Sequence, residues 1–111
     1  MGYDLHITRA ADPFDAEDFP IGRDEWNGYA RRHPAMAEVG WVDWTNFGRE
    51  AIYAWPAGRD DPCSLSWYSS EVTVTGCREQ DIPGLLAIAT SLAANLFGDD
   101  GERYTEDGIM S

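Results

Sequence analysis

Short segments in which apolar and polar side chains alternate recur along the chain, and this period of two constrains the fold more than any other feature. In Tyr3–Arg9, Tyr3, Leu5 and Ile7 point one way, and Asp4, His6 and Thr8 the other. Successive side chains of a strand leave on opposite faces, so this pattern reads as a half-buried strand. Glu38–Thr45 places Val39, Trp41 and Asp43 on one face, with Val42 and Trp44 on the other. Glu50–Trp55 alternates Ala51, Tyr53 and Trp55 against Ile52 and Ala54. Cys63–Tyr68 and Glu71–Thr75 read as a hairpin turning at Ser69–Ser70, and Asn95–Phe97 as a short further strand. Sustained alternation is the mark of antiparallel strands with one packed and one wetter face.

Two segments follow a helical period instead. From Gly22 to Arg32, Trp26, Tyr29 and Ala30 share a face, while Asp24 and Glu25 lie in the first turn, where the helix dipole favours acids. His33-Pro34 ends this helix, because the proline ring disfavours helical backbone in the residue before it. From Ile82 to Ala93, Ile82, Leu85, Leu86, Ala89, Leu92 and Ala93 form an apolar face, with Asp81 as N-cap and Pro83 in the first turn. Residues 10–20 are acidic and contain Pro13 and Pro20, which predicts a loop whose Phe14 and Phe19 tuck onto the core. The expected fold is a single α+β domain over 1–111: an antiparallel sheet of four to five strands with two helices packed on one face. An acidic loop at 10–20 and an acidic tail at 98–111 complete it.

A chain of 111 residues, 43% apolar and 13% aromatic, can bury a core without disulfides or metal. No segment looks like a secretory signal, and no apolar run approaches the ~20 residues of a membrane span. The expected location is the cytoplasm.

Charge sets the class of partner. Twenty acids stand against eight arginines and no lysine, a net of −12. Residues 1–25 carry −5, residues 99–111 carry −4, and the 73 residues between carry only −3. Such a field repels nucleic acid and anionic membranes and attracts basic protein surfaces. The ends of a compact domain often lie close together, so the two acidic segments are expected to merge into one face.

The strand Tyr-Asp-Leu-His-Ile-Thr-Arg (Tyr3–Arg9) and the closing Gly98-Asp99-Asp100-Gly101-Glu102-Arg103-Tyr104 carry a resemblance. Together with Glu25-Trp26 and Trp67-Tyr68, they make the chain similar to a family of small uncharacterised actinobacterial proteins. That family often has a glycine where its second helix ends; here the position is Ala93. Its small, acidic, single-domain form is like that of the immunity proteins of bacterial toxin systems, by analogy alone.

Within the tail, glycines at 98 and 101 permit a tight turn that projects Asp99, Asp100 and Glu102, followed by Tyr104. The bland reading is a solvated turn; the functional one is an anionic finger for paired basic side chains. Counted from Asp99, an EF-hand loop would need oxygen ligands where Gly101 and Arg103 stand, so calcium is not expected. Asp15, Glu17 and Asp18 in the first acidic segment are read the same two ways: solvated loop or part of the face. His6 is expected to be a hydrogen-bonded structural residue, because no serine sits in a nucleophile context beside it. Two histidines and two cysteines in no ligand spacing predict no metal site, and no cofactor is expected. Cys63 and Cys77 would lie nearly opposite across the hairpin, yet reduced thiols are expected in the cytoplasm. Trp41 and Trp44 differ in parity, so one faces outward; Trp44 is taken as the interface anchor. No catalytic residue is assigned. The expected function is an immunity-type inhibitor docking on a basic toxin domain. The alternatives are a small enzyme and a regulatory protein-interaction domain.

Overall fold

The computed structural model describes residues 4–10, 19–44, 48–68, 70–105 and 108–110, with 44 and 108–110 as backbone alone. In chain order the elements are β1 (Leu5–Thr8), α1 (Arg23–Arg32), β2 (Ala37–Trp44), β3 (Gly48–Trp55), β4 (Cys63–Tyr68) and β5 (Glu71–Thr75). A 3-10 turn (Glu79–Asp81) then leads into α2 (Ile82–Ser91), followed by β6 (Asn95–Gly98), β7 (Arg103–Thr105) and β8 (Gly108–Met110). The strands form one antiparallel sheet in the order β2-β3-β4-β5-β1-β6-β7-β8. The chain is therefore α+β, as its alternation implies, but with eight described strands instead of four or five. Two of the strands, β7 and β8, lie in the tail, where no strand was expected, and take three residues each from the charge-rich segment 98–111. Three residues give no readable alternation; pairing onto β6 creates these strands.

Register lines up one apolar face. Leu5 lies opposite Val74 and Gly98, Ile7 opposite Val72 and Leu96, and Leu65 joins Val74 to Tyr53. Both helices cover this face, and their Trp26, Ala30, Leu85, Ile88 and Ala89 share one core with those strand residues. Full burial of each large apolar side chain contributes roughly 1.5–3 kcal/mol. Trp26 of α1 meets Tyr53 edge-on with centroids 5.9 Å apart, while the Tyr53 hydroxyl donates to Asn27 Oδ1 at 2.9 Å. The buried Glu50 of β3 adds an ion pair to Arg23 at 2.5 Å.

Helix ends follow local chemistry. Gly22 is the N-cap of α1, and its N–H donates to Glu25 Oε1 at 3.4 Å; His33 ends the helix in extended backbone before Pro34. Asp81 stands at the cap position of α2, but its side chain makes no capping bond, because the 3-10 turn already places its backbone in the helical region. Its carboxylate is used elsewhere. At the other end of α2 Ala93 takes φ +55°, Ala93 N–H donates to Thr90 O at 3.0 Å and Ala94 N–H to Ala89 O at 2.8 Å. That bond pair is a Schellman motif, whose left-handed residue is usually glycine. Within α2, Gly84 is required by close approach: a Cβ there would lie 2.3 Å from Trp55 Cη2.

One expectation about a single side chain changes. Phe19 is 57% exposed instead of tucked onto the core. Cys63 is buried but Cys77 only half-buried, and both are free thiols. With Ser64 opposite Thr75, the hairpin register sets Cys63 against Gly76, one residue short of Cys77. Phe14 lies outside the described residues. Among the described residues no helix is long and apolar enough to cross a membrane.

Candidate functional site

The acidic turn between β6 and β7 is held from within and from β1. Gly98 N–H donates to Glu102 O at 2.9 Å and Gly101 N–H to Gly98 O at 3.0 Å, with Gly101 at φ +85°. These bonds close a hairpin end, so 98–102 is a fixed turn between paired strands and not an unstructured tail.

His6 anchors it. The ring sits on the sheet face away from the helices, beside Phe97 of β6 and Thr73 of β5 in register. Nδ1–H donates to Glu71 Oε2 at 2.6 Å and Nε2–H to Asp99 Oδ1 at 2.8 Å. The second Asp99 oxygen accepts Asp4 N–H at 3.0 Å. Glu71, together with Asp99, pushes the His6 imidazole up to about 9 against an opposing effect of burial, so it is an imidazolium at neutral pH. In turn the His6 bond, then the Asp4 amide, lowers Asp99 below the usual carboxylate range. Charge-assisted bonds of this kind are short and strong. Both ring nitrogens are committed to carboxylates, leaving none to take a proton from an outside group. His6 acts here as a rivet between β5, β1 and the acidic turn.

The sequence-selected residues are placed unevenly around this rivet. Asp99 and Asp100 are exposed, Glu102 is half-buried, and all three belong to the turn. Tyr104 of β7 is half-buried and packs against the core. Asp15, Glu17 and Asp18 lie outside the described residues, as does the side chain of Trp44. Among described tryptophans it is Trp41 that stands out, 55% exposed, with the Arg49 guanidinium 4.6 Å from its ring centre. Strands β1 and β6 pair, while residues 11–18 of the first acidic segment lie outside the described residues. Sequence reading placed His6 on a polar strand face but not with its partners, which stand 65 and 93 residues away. Parity offered the one available clue: Glu71 opens a strand, and Asp99 closes a glycine turn, on the face that His6 occupies.

A second charged cluster joins the loop after β3 to the start of α2. Arg59 grips Asp81 with two bonds, Nη1 to Oδ1 at 2.5 Å and Nη2 to Oδ2 at 3.0 Å. Asp81 also accepts Arg78 N–H at 2.9 Å and the Cys63 thiol at 3.4 Å. Arg59 above all holds Asp81 down at about 2, while burial and then Asp81 push the Cys63 thiol up to about 12. A thiol so raised is a poor nucleophile. Among the described residues no group of three or more His, Cys, Asp or Glu side chains is placed to hold a metal ion.

No family model matches the chain, and neither a curated protein nor a solved structure matches it.

Proposed function

We propose that the chain is a small acidic binding protein of the immunity type, which acts in the cytoplasm by docking an acidic face on the basic active site of a bacterial toxin. The observation that supports this most is the His6-riveted turn. It presents Asp99 and Asp100 from a closed hairpin, on a chain whose net charge is −12. Preordered carboxylates lose little conformational freedom on binding, and complementary charge speeds encounter with a basic groove while rejecting acidic partners. The resemblance of Tyr3–Arg9 and Gly98–Tyr104 to small acidic bacterial proteins points the same way. The enzyme alternative has no comparable support, since the His6 nitrogens and the Cys63 thiol are both tied up.

The test is co-expression with a basic toxic domain encoded beside the gene. Protection of growth, lost when Asp100 and Glu102 are changed to arginine, supports the proposal. Failure to protect and to form a complex removes it.

A further inference from the structure

We propose that the edge of β2 accepts an extended, basic segment of the partner protein as an added strand of the sheet. This rests on the reading of the chain as a binder of a basic protein and says which surface takes hold of it. Strand β2 ends the sheet among the described residues and runs for eight residues, Ala37–Trp44. The opposite edge, β8, offers three residues, too few to template a strand. Edge strands expose unpaired N–H and C=O groups, and monomeric proteins usually keep large apolar side chains off them. Here the edge shows Val39 at 63% and Trp41 at 55% exposure. An exposed tryptophan on an open edge is suited to anchor a docking strand, whose main chain supplies the hydrogen bonds.

Charge decides the occupant. Glu38 and Asp43 are exposed on the same strand, and Arg49, which packs on Trp41, is bonded to Asp43 at 3.1 Å. In an antiparallel pairing with a second copy about Gly40–Trp41, Glu38 of each chain would face Asp43 of the other. Two chains of −12 would also repel. The register shift between Glu38 and Gly40 marks a bulge at Val39, which twists the edge away from flat self-pairing. A strand that alternates basic and apolar side chains meets none of these obstacles. By register Glu38, Trp41 and Asp43 share one face, opposite Tyr53, Ala51 and Arg49, so the added strand's cations line up with Glu38 and Asp43 and over the Trp41 ring while its apolar side chains lie on the other face.

The probe is the peptide acetyl-(Arg-Val)4-amide, followed by amide NMR of the whole chain at low salt. Its control is acetyl-(Arg-Pro)4-amide, which carries the same charge but lacks half the backbone donors a strand needs. The expected result is that the valine peptide shifts β2 and β3 amides and the proline peptide does not. Trp41→Ala should weaken binding at least about tenfold, and Glu38→Arg with Asp43→Arg should abolish it. Equal binding of the two peptides, shifts confined to 98–102, or a dimer dispersed by Trp41→Ala would each overturn the proposal. The outcome separates from that of the inhibitor reading. A chain with Asp100→Arg and Glu102→Arg should still take the peptide, whereas toxin protection without peptide binding would sink the strand proposal alone.

Discussion

The imidazolium of His6 donates to Asp99 at 2.8 Å, joining the first strand to an acidic turn 93 residues later in the chain. The bond converts a run of like charges into a structural contact. It also explains how a turn carrying Asp99, Asp100 and Glu102 can be held in one shape despite repulsion, because a buried-side cation partly neutralises it from behind.

Titration of His6, followed by ring-proton NMR, should give a midpoint near 9 instead of the ordinary 6.5. A folded value above the unfolded one means that the contribution is complete below about pH 6.5 and is lost as pH rises through about 9. Asp99 is shifted down, so its share is present above the unfolded carboxylate value and is lost as pH falls through the lower folded one. His6→Gln should cost about 1–3 kcal/mol in urea unfolding at pH 6, with the deficit closing above pH 9. A midpoint near 6.5 would remove the rivet.

Ala93→Gly should stabilise the chain by about 0.5–1 kcal/mol in the same assay. Ala93 is exposed, so the change removes no packing, and it relieves a Cβ held at φ +55° at the end of α2. A loss of stability would contradict the left-handed cap.

Gly84→Ala should have the opposite sign although alanine is the better helix former. The new Cβ would fall 2.3 Å from the Trp55 ring, which is rigid and half-buried against α2. Overpacking of this sort costs about 1–3 kcal/mol, more than the ~1 kcal/mol gained in helix propensity. Thermal unfolding of the variant reads the balance directly.

Cys63 should resist iodoacetamide at pH 8 in the folded chain. With its thiol near 12, only about one molecule in ten thousand is a thiolate at that pH. Mass spectrometry should show Cys63 modified at the rate of unfolding, and rapid native alkylation would contradict the Asp81 contact.

Local pattern carried much of this fold. Val72 and Val74 against Thr73 and Thr75, or Trp26 and Ala30 one turn apart, reveal their elements because each residue's surroundings repeat along several neighbours. The left-handed backbone at Ala93 was not legible, because an alanine gives no local sign of a positive φ. What else escaped depends on pairing between distant segments. Residues 103–105 and 108–110 become strands only by continuing the β6 edge, and their acidic setting reads as a tail. Glu71 and Asp99 become partners of His6 only once β1 lies between β5 and β6. Parity also required one outward tryptophan in β2, and the bulge at Val39 helps set which side chains the edge displays; Trp41 is the exposed one among those described.

The acidic turn as a docking element is tested most directly by association kinetics. On the inhibitor proposal, stopped-flow binding to a basic toxic domain found to be encoded beside the gene should be compared for the native chain and for Asp100→Arg with Glu102→Arg, at low and high salt. The account predicts that reversal slows association at least about tenfold at low salt and that the two rates converge as salt screens the charges. Equal association rates at low salt would contradict it.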